Sequence, residues 1–158
     1  MPQRVEQAEP RDFLAVAALD RIAWGEDGPI IADGEHVWRV WCEYATVLVV
    51  RRPGASGDHS STVAGALVMF PTQQGELFLH KIMVHPDCRG QGTGTAMMKA
   101  ALERAAAPVL LTVDPTNTRA VELYQRYGFT VREHVQGYYR QREDRYLMVH
   151  VPPINEAV

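Results

Sequence analysis

Cysteine is almost absent from this 158-residue chain: Cys42 and Cys88 are the only two, and they form no CxxC pair. That excludes a disulfide framework, and two reduced thiols suit a protein of the cytosol. The histidines are scattered, with no His/Cys spacing of a structural zinc site, so no metal is expected. No apolar run reaches the ~20 residues that a membrane-spanning helix needs. The first ten residues, MPQRVEQAEP, contain no apolar stretch of the kind a secretory signal carries. A cytoplasmic location without a membrane partner is therefore expected. Lysine is scarce too, with Lys81 and Lys99 the only examples, and a net charge of -3 leaves no basic footprint for nucleic acid. Repeats and low-complexity segments are missing as well.

What is present reads as one globular domain. Apolar residues make up 46% and charged residues 22%, ordinary values for such a protein. RVEQA, residues 4–8, reads as a short strand, and Pro10 suits a helix start. Phe13, Val16, Leu19 and Ile22 then recur at helical spacing. After the turn-rich WGEDGPIIADG, Asp33 is expected to cap a second helix with Val37, Val40, Trp41 and Tyr44 on one face. TVLVVRR, STVAGALVMF and ELFLHKIMV read as three strands of a meander, the first two joined through PGASGDHS. A helix over residues 93–107, the strand VLLTV, a helix capped by Asn117 and ended by Gly128, and two strands, FTVREHVQGYY and DRYLMVHV, complete the chain. The expected fold is α/β, a mixed and partly antiparallel sheet flanked by four helices in the order β-α-α-β-β-β-α-β-α-β-β. Residues 1–151 are expected to form a single domain, and 152–158 a frayed tail.

The chemistry concentrates in HPDCRGQGTG, residues 85–94, which leave a strand and open a helix. The first amides of a helix lack internal acceptors and the helix dipole favours negative charge there, so a glycine-rich helix start is an anion site. Arg89 adds a permanent cation with a fork of donors. A Walker A loop is excluded because no Gly-Lys-Ser/Thr follows at the right spacing. A dinucleotide fingerprint is excluded because the glycines run GxGxG and HPDCR separates them from the strand. The pattern that fits is Q/R-x-x-G-x-G/A, at Arg89, Gly92 and Gly94.

IMVHPDCRGQGTGTAMM resembles the acetyl-CoA pyrophosphate loop of the GCN5-related N-acetyltransferase (GNAT) family. NTRAVELYQRYGF matches a second family pattern, N-x-x-A-x-x-L-Y-x-x-x-G-F, at Asn117, Ala120, Leu123, Tyr124, Gly128 and Phe129. Two motifs in order are far more specific than one. The resemblance implies an acyltransferase that uses acetyl-CoA to acetylate a primary amine. Its pantetheine arm would run along Ile82, Met83 and Val84, whose backbone would polarise the acetyl carbonyl. Arg89, Gly90, Gln91 and Gly92, with Thr93, Gly94 and Thr95, would cradle the pyrophosphate, and Asn117 would bond the pantetheine. Tyr124 matches the family's general acid, since a phenol with pKa near ~10 can protonate a departing thiolate.

The base is less defined. His80, on the strand leading to the loop, matches a position where some small-amine enzymes of the family carry histidine. Glu35, His36 and Asp114 are alternatives, each equally readable as a helix-start or turn residue. The C-terminal stretch is similar to RimI-type N-terminal acetyltransferases, with Tyr138, Tyr139, Glu143, Asp144 and Met148 in matching places. Their glutamate base, however, corresponds here to Thr112. At neutral pH an α-amine is roughly 10% uncharged and a lysine amine below about one part in a thousand, so a site without a strong base suits the α-amine or another weakly basic amine. A homodimer through the last strands is common in the family. The reading from a different class is a non-catalytic acetyl-CoA-binding sensor or complex subunit.

Overall fold

The computed structural model describes residues 3–24, 30–52 and 62–153. Its elements are β1 (Val5–Gln7), α1 (Phe13–Ala23), α2 (Glu35–Tyr44), β2 (Thr46–Arg51), β3 (Val63–Pro71), β4 (Leu77–Val84), α3 (Thr93–Arg104), β5 (Val109–Val113), α4 (Thr118–Arg126), β6 (Thr130–Val135) and β7 (Arg145–His150). This is the order expected from the sequence. The strands form one sheet in the order β1-β2-β3-β4-β5-β7-β6. The β1–β2, β2–β3, β5–β7 and β6–β7 pairs are antiparallel. The β4–β5 pair is parallel, Leu77 opposite Val109 and Phe78 opposite Leu110. A parallel pair needs a crossover, and α3 supplies it. The PGASGDHS connection lies outside the described residues, as does 154–158 of the tail.

The chain divides into two compact units, Met1–Phe70 with Lys81–Glu103, and Pro71–His80 with Arg104–Val158. In the first, β3 is buried at every position from Val63 to Met69, which explains its apolar run without alternation. Val47, Val49, Ala66 and Val68 form the core with Val16 and Leu19 of α1 and Trp38 of α2. Asp12, in the turn before α1, accepts from the Glu9 amide (2.7 Å) and pairs with both Arg51 terminal nitrogens (3.0 Å each), tying that turn to β2.

Three local expectations are corrected in this unit. Ile22 is exposed, because the buried face of α1 is completed by Ala15, Ala18 and Ala23 instead. On α2 the buried residues are Trp38 and Cys42, one turn apart, while Val40 and Tyr44 face outward. The helix carries two apolar stripes with a tryptophan on each, and the one turned inward is that of Trp38, whose indole N–H donates to buried Asp20 at 3.0 Å. The N-cap of α2 is Gly34 rather than Asp33, whose carboxylate is engaged by Lys81 at 3.0 Å. Both cysteines are free and buried. Burial, followed by the charge of Asp12, pushes the Cys42 thiol up to about 11, so it stays protonated at neutral pH.

In the second unit, Val109, Leu111, Met148 and Phe129 are buried. The Asn117 carbonyl oxygen accepts from the Ala120 amide at 3.2 Å, the expected N-cap of α4. Gly128, with φ +97°, follows its C-terminus as expected. Strand β6 stops at Val135 rather than running to Tyr139. Gly137 enters the left-handed region (φ +59°), its amide donates to Asp144 Oδ1 (2.9 Å), and Tyr138 donates to the Glu143 carbonyl (2.9 Å), which closes a turn. The α3 helix likewise ends at Arg104, short of the alanines before Pro108.

Candidate active site

The glycine loop grows out of β4. His85 continues the ladder by donating its amide to the Ala64 carbonyl (2.7 Å), and its ring Nδ1 accepts from the Asp87 amide (3.1 Å), capping a single 3-10 turn over Pro86–Cys88. Gly90 and Gly92 follow with φ of +77° and +81°. A Cβ at either would meet nothing within 4 Å, so backbone conformation, not crowding, requires glycine at both. Left-handed residues set between ordinary ones turn successive amides toward one concavity, the geometry of an anion nest. The first helical hydrogen bond of α3 is Ala96 N to Gly92 O (3.0 Å), which leaves the Thr93 and Gly94 amides ahead of the ladder. Thr93 itself is buried, and its Oγ1 has no hydrogen-bond partner. An orphaned hydroxyl is costly unless a ligand oxygen completes it, so the loop fits a phosphate group.

The same helix start is pressed onto the sheet. A Cβ on Gly65 of β3 would lie 2.7 Å from Met97 Cε, 2.8 Å from Thr93 Cγ2 and 3.2 Å from the Met83 carbonyl. Only glycine at 65 lets α3 pack at this depth beside β4. Ile82 and Val84 share the half-buried face of β4 with His80, while Leu79, Lys81 and Met83 lie on its buried face. Arg89 is exposed overall, and its Nη2 donates to the carbonyl of Ala23, the last residue of α1 (2.7 Å). A guanidinium has five N–H donors, so the remaining ones can still serve an anion.

The first unit also contains a polar cluster that sequence reasoning missed. Asp20, fully buried on α1, accepts from Lys81 Nζ (2.8 and 3.1 Å), Trp24 Nε1 (2.9 Å), Trp38 Nε1 (3.0 Å) and the Asp33 amide (2.7 Å). Lys81 is also buried and donates to the Ile31 carbonyl at 3.0 Å as well as to Asp33. The available signal was Lys81 itself, one of only two lysines and in phase with Leu79 and Met83 on an apolar strand.

The second unit holds the remaining candidates. Tyr124 is half-buried on α4, its ring edge-on to that of buried Phe129 at 6.0 Å. Burial first, then the neighbouring Tyr127, raises its hydroxyl pKa above the ordinary phenol value, which keeps the proton in place at neutral pH. Asn117 is exposed and uses its carbonyl oxygen as the cap, which leaves the amide nitrogen's two hydrogens to donate elsewhere. Asp114 is the turn residue that the sequence allowed: it accepts from the Thr116 amide (2.9 Å) and hydroxyl (2.8 Å), and these bonds hold its carboxyl below the usual range. That makes it a weak proton acceptor. Thr112 sits on β5 opposite Leu147. Tyr138 and Tyr139 lie in the β6–β7 turn with rings 4.8 Å apart, and the Arg145 guanidinium stands 5.1 Å from the Tyr139 ring centre. In the first unit, Glu35 and His36 open α2 exposed to solvent, Glu35 being 3.8 Å from Arg21. Among the described residues no group of three or more His, Cys, Asp or Glu is arranged to hold a metal, and no helix is long and apolar enough to cross a membrane.

A mixed sheet that feeds a left-handed glycine loop into a helix start defines an α/β protein whose loop has the backbone geometry of an anion nest. Known proteins narrow the class. The ribosomal-protein-S18-alanine N-acetyltransferase of Escherichia coli has the same fold, with a TM-score of 0.76 over 99% of this chain and 98% of that one at 21% identity. An uncharacterized N-acetyltransferase of Methanocaldococcus jannaschii is 42% identical over 66 residues, 39% of this chain and 29% of that protein. A mycothiol acetyltransferase of Mycobacterium avium is 30% identical over 103 residues, 65% of this chain and 30% of that protein. The aligned regions thus span less than a third of the length of these curated relatives. The acetyltransferase (GNAT) family profile matches residues 15–129, and the chain belongs to that family.

Proposed function

We propose that the protein is an acetyl-CoA-dependent N-acetyltransferase that acetylates a primary amine, a peptide N-terminus or a small amine, by direct attack in a ternary complex. The observation that carries this reading is the loop from Arg89 to Thr95. It combines two left-handed glycines, amides ahead of the helical ladder and a buried Thr93 hydroxyl lacking a partner, all within the span that matches the family.

Acetyl-CoA supplies the acetyl group as a thioester. The loop amides and Arg89 bind its pyrophosphate, and the Asn117 amide donates to the pantetheine arm. The backbone of Ile82, Met83 and Val84 runs beside that arm and donates to the acetyl oxygen, stabilising the charge that develops there. The amine nitrogen forms its bond to the carbonyl carbon as the carbon–sulfur bond breaks. Tyr124 gives its proton to the departing sulfur, and the raised pKa of its hydroxyl supports that role. His80 shares a strand face with Ile82 and Val84 and takes up the proton that the amine loses. With Thr112 where a RimI-type enzyme has glutamate, the acceptor is an amine that is partly uncharged at neutral pH, an α-amine before a lysine.

The test is thiol release from acetyl-CoA with a panel of N-terminal peptides, polyamines, aminoglycosides and amino acids. Turnover is expected with α-amines of peptides or small molecules. Tight acetyl-CoA binding without turnover on any class would instead mark a sensor or a complex subunit.

A further inference from the structure

His85 is the residue through which β4 passes into the anion loop, and three of its polar groups are bonded to other parts of the chain. Its amide donates to the Ala64 carbonyl of β3 (2.7 Å), and its carbonyl accepts from the Cys88 amide (2.8 Å). Its ring Nδ1 accepts from the Asp87 amide (3.1 Å). That last bond fixes the proton, because a ring nitrogen that accepts carries no hydrogen. The ring is therefore neutral, with its hydrogen on Nε2. Its side chain is only 11% exposed, and among the described residues two charged groups stand against it. Arg52, just past the end of β2, has Nη1 3.5 Å from Nε2, a donor facing a donor. Asp87 Oδ2 lies 3.8 Å from Nδ1 and 3.9 Å from Arg52 Nη2. One ring nitrogen thus has both the amide and the carboxylate of Asp87 within reach, and the proton decides which it uses. A neutral ring accepts the amide and caps the turn Pro86–Cys88. An imidazolium can only donate, so the cap is broken and the carboxylate becomes the partner.

We infer that His85 is a positioning residue for the cofactor: only its neutral ring holds the turn that presents Arg89 and the loop glycines, so acetyl-CoA binds more weakly as acid charges that ring. This deepens the acetyltransferase reading and rests on it. Arg89 follows the capped turn directly, and Gly90 and Gly92 come next, so a change at the cap is passed straight into the loop. The sign follows from the bond. The cap is intact at neutral and higher pH and is lost as the pH falls, imidazole being the side chain that changes charge between about pH 5 and 8. Of the two charged neighbours, Arg52 opposes the charged ring, and Asp87 favours it at the expense of the cap.

The test is the Kd of acetyl-CoA, measured by calorimetry for the full chain, His85→Asn and His85→Ala. Asparagine keeps an oxygen that can accept the Asp87 amide but does not titrate, so any pH dependence left in that variant belongs to the ligand and the rest of the site. From pH ~7.5 to ~5.5 the wild-type Kd should rise at least about fivefold more than that of His85→Asn. At the higher pH, His85→Asn should recover most of the wild-type affinity. His85→Ala, which leaves the Asp87 amide uncapped, should bind about threefold to tenfold more weakly there. Equal pH dependence in the wild type and His85→Asn, or an unchanged Kd in a folded His85→Ala, would overturn the inference. NMR spectra of the ring nitrogens give a readout that needs no cofactor. The hydrogen should sit on Nε2 at neutral pH, and a hydrogen on Nδ1 would refute the cap. Should the wild type fail to bind acetyl-CoA at neutral pH, the acetyltransferase reading falls by itself, and the ring spectra still decide whether the cap exists.

Discussion

Replacing Tyr124 with phenylalanine is expected to lower kcat by roughly 100-fold to 1,000-fold, the usual worth of a positioned general acid. The ring should keep its packing on Phe129, because the substitution removes only the hydroxyl. Acetyl-CoA affinity should therefore stay within about twofold, which separates a chemical role from a binding one. The pH dependence adds a second check. Burial keeps the hydroxyl pKa above the ordinary 10.0, so the proton-donating form persists through neutral and mildly alkaline solution. The alkaline limb of kcat attributable to Tyr124 then lies above pH ~10. Full activity in Tyr124→Phe would remove this residue from the mechanism and return the acid role to solvent.

Asp20→Ala should be the most damaging single change to stability. It strips the acceptor from Lys81, from both indole N–H groups and from the Asp33 amide at once. Breaking one side of a buried ion pair costs about 3–5 kcal/mol. For a domain of this size that lowers Tm by roughly 6–20 °C. Asp20→Asn, which retains one accepting oxygen but not the charge, should lose less. Urea unfolding of the pair gives the measurement. A loss below ~1 kcal/mol for Asp20→Ala would mean that water replaces the carboxylate and that the cluster is not closed.

Local signals made much of this arrangement legible in the sequence. The spacing of Gly90 and Gly92 pointed to a special backbone, and both occupy the left-handed region. Asn117 and Gly128 marked the two ends of α4 because capping and left-handed termination depend on one residue each. The failures share a cause, which is that tertiary choice decided between locally equivalent options. Helix α2 offers two apolar stripes, and only the acceptor provided by Asp20, 18 residues from Trp38, selects the one turned inward. Asp33 reads equally well as a cap or as an ion-pair partner until Lys81 is seen beside it. The Asp20–Lys81 pair joins residues 61 positions apart, and no periodicity within a single element can announce that.

The most direct measurement uses one peptide that carries both a free α-amine and a lysine, incubated with the protein and acetyl-CoA and mapped by fragmentation mass spectrometry. The account predicts a single acetyl group, placed on the α-amine. Acetylation of the lysine would contradict the choice of acceptor that Thr112 supports. An unmodified peptide, together with no turnover on any amine despite bound acetyl-CoA, would contradict the enzyme itself.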